Sequence, residues 1–170
     1  MKPEIKYGLA CGAALCAWIA LEYLLGFHTT RPDLGAWTGL LSNLIPLAVL
    51  FLLLRKKRAA LFDGRLSLGA GIWAGLLTSF VAALLVYCFL AAYTTYLNPT
   101  WIDQALEHKV ALWRAEQVAE VDIQGRIVRY RGAYTPVGLL GNTLVGMTLR
   151  GGLLGLGLTA LLRRLPHRPD

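Results

Sequence analysis

Four long stretches of the chain hold almost no ionised side chain: residues 7–30, interrupted only by Glu22; 34–54 and 66–102, with none; and 132–162, interrupted only by Arg150. Each is long enough for the roughly 20 apolar residues of a bilayer-crossing helix, so the pattern predicts spans at about 7–27, 34–54, 69–96 and 137–162. The link from His28 to Asp33 is short, which makes the first two spans antiparallel neighbours. Pro46 falls in the middle of the second span, where it removes an amide donor and crowds the carbonyl of Ser42. A kink is expected there, as an ordinary proline kink or as a gating hinge, with Ser42 and Asn43 placed to satisfy the freed backbone. The third span, starting between Ser67 and Gly71 and reaching Tyr96, would measure about 40 Å at 1.5 Å per residue. That exceeds the hydrocarbon thickness, so it tilts or ends in an interfacial turn carrying Tyr87, Tyr93 and Tyr96.

The one sizeable segment outside these spans is 98–135. Thr100-Trp101-Ile102-Asp103 has the form of a capping box, and Ile102, Leu106, Val110 and Trp113 follow at helical spacing. An amphipathic helix to about Glu120 is expected, resting on headgroups or over the bundle mouth. Residues 121–131 alternate weakly around Gly125, a pattern open to a short hairpin, a helix or a loop. The fold class is therefore an all-α integral membrane four-helix bundle, one domain over 1–170, with an amphipathic helix in the outer loop.

Composition agrees. Of 170 residues 56% are hydrophobic and 16% charged, with mean hydropathy +0.52, more apolar surface than a soluble domain of this size can cover. This excludes a secreted enzyme, a soluble nucleic-acid binder and a disordered tail. The net charge of +7 changes the picture further, because all the excess lies in the termini and the 55–65 connection. Lys2, Lys6, Arg55, Lys56, Lys57, Arg58, Arg65, Arg163, Arg164 and Arg168 there outnumber Glu4, Asp63 and Asp170. By the positive-inside bias these segments face the cytoplasm. The run Arg55, Lys56, Lys57, Arg58 abuts an apolar span, so it reads as a topology signal contacting anionic headgroups, with no nucleic-acid partner. Cys11, Cys16 and Cys88 lie inside spans at no metal-ligand or disulfide spacing. The first span lacks a small-residue cleavage site and is expected to stay as a helix.

Each span carries two glycines four apart: Gly8 and Gly12, Gly35 and Gly39, Gly71 and Gly75, Gly151 and Gly155. Small residues at this spacing let helix backbones approach closely in lipid, so tight packing within the chain is expected, or a homo-oligomer through one such ridge. Counted from the basic residue bounding each span, Glu22, Asn43, Ser79 and Arg150 fall at similar depths of about 24, 18, 21 and 20 Å. A mid-span arginine costs about 3 kcal/mol to insert, which places Arg150 inward. The expectation is a neutral Glu22–Arg150 ion pair in a polar layer with Asn43 and Ser79, acting as a structural clasp or as a site for a small polar solute or proton.

No catalytic, cofactor or metal motif is present. His28, His108 and His167 are scattered, Glu107-His108 does not extend into a zinc-protease pattern, and no phosphate-cradling loop occurs. The expected function is a non-enzymatic packing or partner subunit of a membrane assembly; the alternative is a small-solute or ion permease working through the polar layer.

Several local features carry a resemblance. Lys6-Tyr7-Gly8-Leu9 opens the first span, a basic connection leads through Phe62 and Gly64 to the glycine-rich start of the third, Tyr93, Tyr96, Asn98 and Pro99 close it, and Arg163-Arg164 ends the last. In these the chain resembles the small bacterial four-span proteins grouped as domain of unknown function number forty-one ninety-nine. The resemblance implies four helices in a bacterial inner membrane and supplies no activity or catalytic residues.

Overall fold

The computed structural model describes residues 1–61 and 65–165. Phe62, Asp63 and Gly64 of the basic connection, and the tail with His167, Arg168 and Asp170, lie outside the described residues. The regular elements are helices: α1 Pro3–Leu24, α2 Pro32–Leu41, α3 Leu44–Ala59, α4 Leu68–Leu97, α5 Trp101–Ala115, α6 Glu120–Ala133 and α7 Pro136–Arg164. Four segments are long and apolar enough to cross a membrane: α1, Trp37–Ala59 across the α2–α3 junction, α4 and α7.

Helix starts follow the sequence. Pro3, Pro32 and Pro136 open α1, α2 and α7, where a missing amide costs nothing. Ser67 and Thr135 cap α4 and α7 by accepting the amides of Ala70 and Gly138 at 3.1 Å each. Gly26 turns the chain after α1 at φ +76, a conformation that favours glycine, and its carbonyl accepts amides from Thr29, Thr30 and Arg31. The second span breaks at Ser42–Asn43, four residues ahead of Pro46. With the amide of residue 46 gone, Ser42's carbonyl accepts from Ile45 N at 3.1 Å, while Ser42 Oγ donates to Gly39 O at 2.7 Å and Asn43 Nδ2 to Leu40 O at 3.0 Å.

α4 is the central helix, with α1 on one side and α7 on the other. On the α7 side the backbones interlock. A Cβ on Gly75 would lie 2.1 Å from the carbonyl oxygen of Gly151, one on Gly155 2.2 Å from that of Gly71, and one on Gly151 2.0 Å from Ser79 Oγ. On the α1 side, Gly8 sits against Thr78 O and Val81, and Gly12 against Ala82 O and Leu85. α3 joins this trio in its lower half, where Leu50, Leu53 and Leu54 are buried with Leu66, Ala74, Leu158 and Leu162. Lys57 ion-pairs with buried Glu4, and Arg58 donates to Leu165 O at 2.7 Å. Lys57 and Arg58 of the basic run are thus engaged within the protein.

The glycines of the second span behave differently from the expectation. Gly35 packs on Phe27 O in the turn, and a Cβ added to Gly39 would meet nothing within 4 Å. A glycine ridge needs an opposing helix, and beyond the Ser42–Asn43 break none lies close enough. In 98–135 one expectation is corrected and one open alternative is decided. Thr100 makes no capping bond to the start of α5; its hydroxyl donates to Asn98 Oδ1 at 3.4 Å. Residues 121–131 are helical within α6. α5 and α6 fold back on each other through Gln117, at φ 57, and are held by Arg131–Asp103 and Arg114–Glu120 contacts of 3.1 Å and by Arg126 over the Trp113 ring.

Candidate functional site

A cleft of about 1210 Å³ opens beside α2 and the start of α3, which line it with Gly39, Asn43 and Leu47 while Ile45 and Val49 pack on the cluster of Cys11, Leu15, Ala82 and Val86. α1 lines it with Cys11, Leu15, Trp18 and Glu22, α4 with Ser79, Ala82, Val86 and Leu90, and α7 from Leu139 to Leu161; Tyr130, Ala133 and Tyr134 border one end. Glu22, Asn43, Ser79 and Arg150 all border this one space. They do so without the expected ion pair. Glu22 is buried, receiving Trp18 Nε1–H on Oε1 at 2.8 Å and meeting His28 Nε2 with Oε2 at 3.3 Å. Arg150 donates its Nε–H to Gly146 O at 3.3 Å, one turn back on its own helix, and among the described residues meets no carboxylate. The helix register is the reason: Gly8 of α1 packs level with Thr78 and Val81, and Gly151 of α7 level with Ser79, so Glu22, 14 residues beyond Gly8, stands about 21 Å further along the bundle than Arg150 and is satisfied there by Trp18 and His28. Asn43 is turned to its own helix at Leu40 O, and Ser79 fills the space left by Gly151.

The partners of Glu22 open a network that residue spacing alone does not reveal. His28 Nδ1 lies 2.7 Å from Tyr93 Oη, which also receives Asn98 Nδ2–H at 3.1 Å. One proton arrangement satisfies every member: Asn98 donates to Tyr93, the Tyr93 hydroxyl to Nδ1 of a neutral His28, and Nε2–H of His28 to Glu22. Rings enclose it. Trp101 lies 5.4 Å from the His28 ring, and Tyr23 and Trp101 meet Tyr93 edge to face at 5.6 and 5.5 Å. Burial pulls the His28 pKa below its ordinary value, against the upward pull of the Glu22 carboxylate, which supports the neutral ring. Tyr93 is aimed at His28 from the first residue of a wider π turn, Tyr93–Leu97; a second such turn, Leu140–Gly146, borders the cleft in α7. The signal in the sequence was height: His28 follows Glu22 by six residues at one end of the bundle, and Tyr93 and Asn98 close the third span at that same end.

Among the described residues no three His, Cys, Asp or Glu side chains gather as a metal site. The family described as Protein of unknown function (DUF4199) matches residues 6–164. The chain belongs to this family. Neither the curated proteins nor the solved structures hold a match to it. The DUF4199 match spans the interlocked helices, the cleft and the aromatic network alike, so all three lie within the family's common stretch.

Proposed function

We propose that this DUF4199 protein is a non-enzymatic, multi-pass protein of a bacterial cytoplasmic membrane that holds a guest molecule in its lateral cleft. The observation that carries the reading is the cleft itself. A subunit whose only task is packing would fill the space between its helices, whereas about 1210 Å³ is open here and exceeds the roughly 300–1,000 Å³ of ordinary small-molecule pockets. Its long apolar walls suit a lipid-like guest better than the small solute or ion of a permease. The basic termini and the Arg55–Arg58 run support an arrangement with both termini in the cytoplasm. The α5–α6 pair then lies at the outer surface beside the cleft mouth, with Leu106 and Ile123 turned inward. Arg55 and Lys56 are exposed, and the run as a whole supports contact with anionic headgroups.

Gly39 and Gly157 border the cleft, and each has open space where a side chain would start. Gly157→Phe and Gly39→Phe therefore narrow the cleft without displacing packed atoms. Native mass spectrometry of the detergent-purified protein is expected to show one retained lipid-like adduct per chain in the parent and its loss in the double variant. A parent that never retains a guest, and copurifies with a stoichiometric protein instead, would favour the partner-subunit reading.

A further inference from the structure

The cleft carries one charge that the described residues leave unanswered. Arg150 lies within a segment apolar enough to span a membrane, where an unpaired guanidinium costs about 2.5–3.5 kcal/mol to insert. Of its five N–H donors, the structure uses one, on Gly146 O. Among the described residues the only carboxylate bordering the same space, Glu22, has both oxygens engaged by Trp18 and His28. The long walls of the space that Arg150 borders are mainly hydrocarbon, with Val86 and Leu90 of α4 and Met147, Leu154 and Leu158 of α7 among them. A guest complementary to this cleft has a long apolar body and one anionic group with two oxygens in a plane or fork, the geometry that a guanidinium binds bidentately. We infer that the cleft is a binding site for an anionic amphiphile, its acyl chain along the apolar walls and its carboxylate or phosphate on Arg150. The inference rests on the guest-holding reading above and adds the charge of the guest.

Glu22 contributes to the choice of guest in the opposite sense. It is the other charged group that borders the space, and an acid there disfavours a second anion close by, so the head is drawn to the part of the cleft that Arg150 commands. A fatty-acid carboxylate and an anionic phospholipid share this chemistry, and the experiment separates them.

The full chain, purified in a neutral detergent, is titrated with palmitate, hexadecanol, a phosphatidylglycerol and a phosphatidylcholine, and retention is read by native mass spectrometry. The inference predicts that palmitate, phosphatidylglycerol or both are held at least about tenfold more tightly than the neutral or zwitterionic compound of matched chain length. Preference between those two identifies the source of the anion. Arg150→Gln should remove that preference and Arg150→Lys keep most of it; Gln lightens the insertion cost, so the variant folds, which the thermal melt checks. Equal retention of charged and uncharged compounds, unaltered by Arg150→Gln, would overturn the inference while leaving the guest-holding cleft intact. Retention of none of the four by the folded parent would remove the cleft reading itself.

Discussion

Glycine at the same spacing does opposite things in two parts of this molecule. Along α4 and α7, Gly71, Gly75, Gly151 and Gly155 bring backbone against backbone with no room for a methyl group. Across the cleft, Gly39, four residues after Gly35, faces open space. The difference teaches that a small-residue ridge is a permission and that an opposing helix at the right angle converts it into a contact. α7 runs antiparallel beside α4 and supplies that surface. The second span breaks at Ser42–Asn43, and its outer half leaves Trp37 and Leu40 well exposed. The tight seam holds the fold, while the loose side leaves the cleft open.

Substitution breaks this contrast most sharply. Gly75→Val forces a branched side chain into the Gly151 carbonyl, and a loss of about 3 kcal/mol or more is expected, read as a collapse of the melting temperature in detergent. Tyr93→Phe removes the hydroxyl shared by His28 and Asn98 and leaves their buried polar groups short of a partner; about 1–3 kcal/mol should be lost in the same melt. Acidification tests the network without mutation. Because the His28 pKa is lowered in the folded protein, the unfolded chain takes up the proton first as pH falls through the ordinary histidine range near 6.5. Stability is therefore full above that range and declines below it until the folded ring also protonates. Ring-proton NMR should show His28 titrating below a free imidazole, and lower still in Glu22→Gln, where the carboxylate's upward pull is gone. At the small end, Gly39→Ala should leave the melt unchanged or raise it by a few tenths of a kcal/mol, since it meets no neighbour and gains helix propensity. A drop as large as that of Gly75→Val would erase the distinction between the two sides.

Much of this layout is legible in the chain. Charge-free windows mark the four spanning segments, because ionised groups are what hydrocarbon excludes. Counting residues inward predicts a common level for Glu22, Asn43, Ser79 and Arg150; all four border the cleft, but Glu22 stands well beyond the level that Ser79 and Arg150 share. Height along one helix is encoded in residue number; how far one helix is shifted along another, and which neighbour a side chain meets, is not. So Glu22, counted from Lys6 to the height of Arg150, stands about 21 Å beyond the level where Gly8, Ser79 and Gly151 meet, and is held there by Trp18 on its own helix and by His28, which the Gly26 turn folds back over it. The same limit hid that Gly39 meets nothing within 4 Å, since residue number does not say which helix faces it. Residues 121–131 show only weak alternation around Gly125, and packing on α5 decides for helix through contacts such as Arg126 on Trp113.

The most direct measurement is photolabelling in the membrane with a diazirine-bearing palmitate, followed by peptide mapping of the adducts. The account predicts labels concentrated on cleft residues such as Leu15, Met147 and Leu154 and competed away by unlabelled palmitate. Labels confined to outward side chains such as Trp73 and Phe80, and indifferent to competitor, would contradict it.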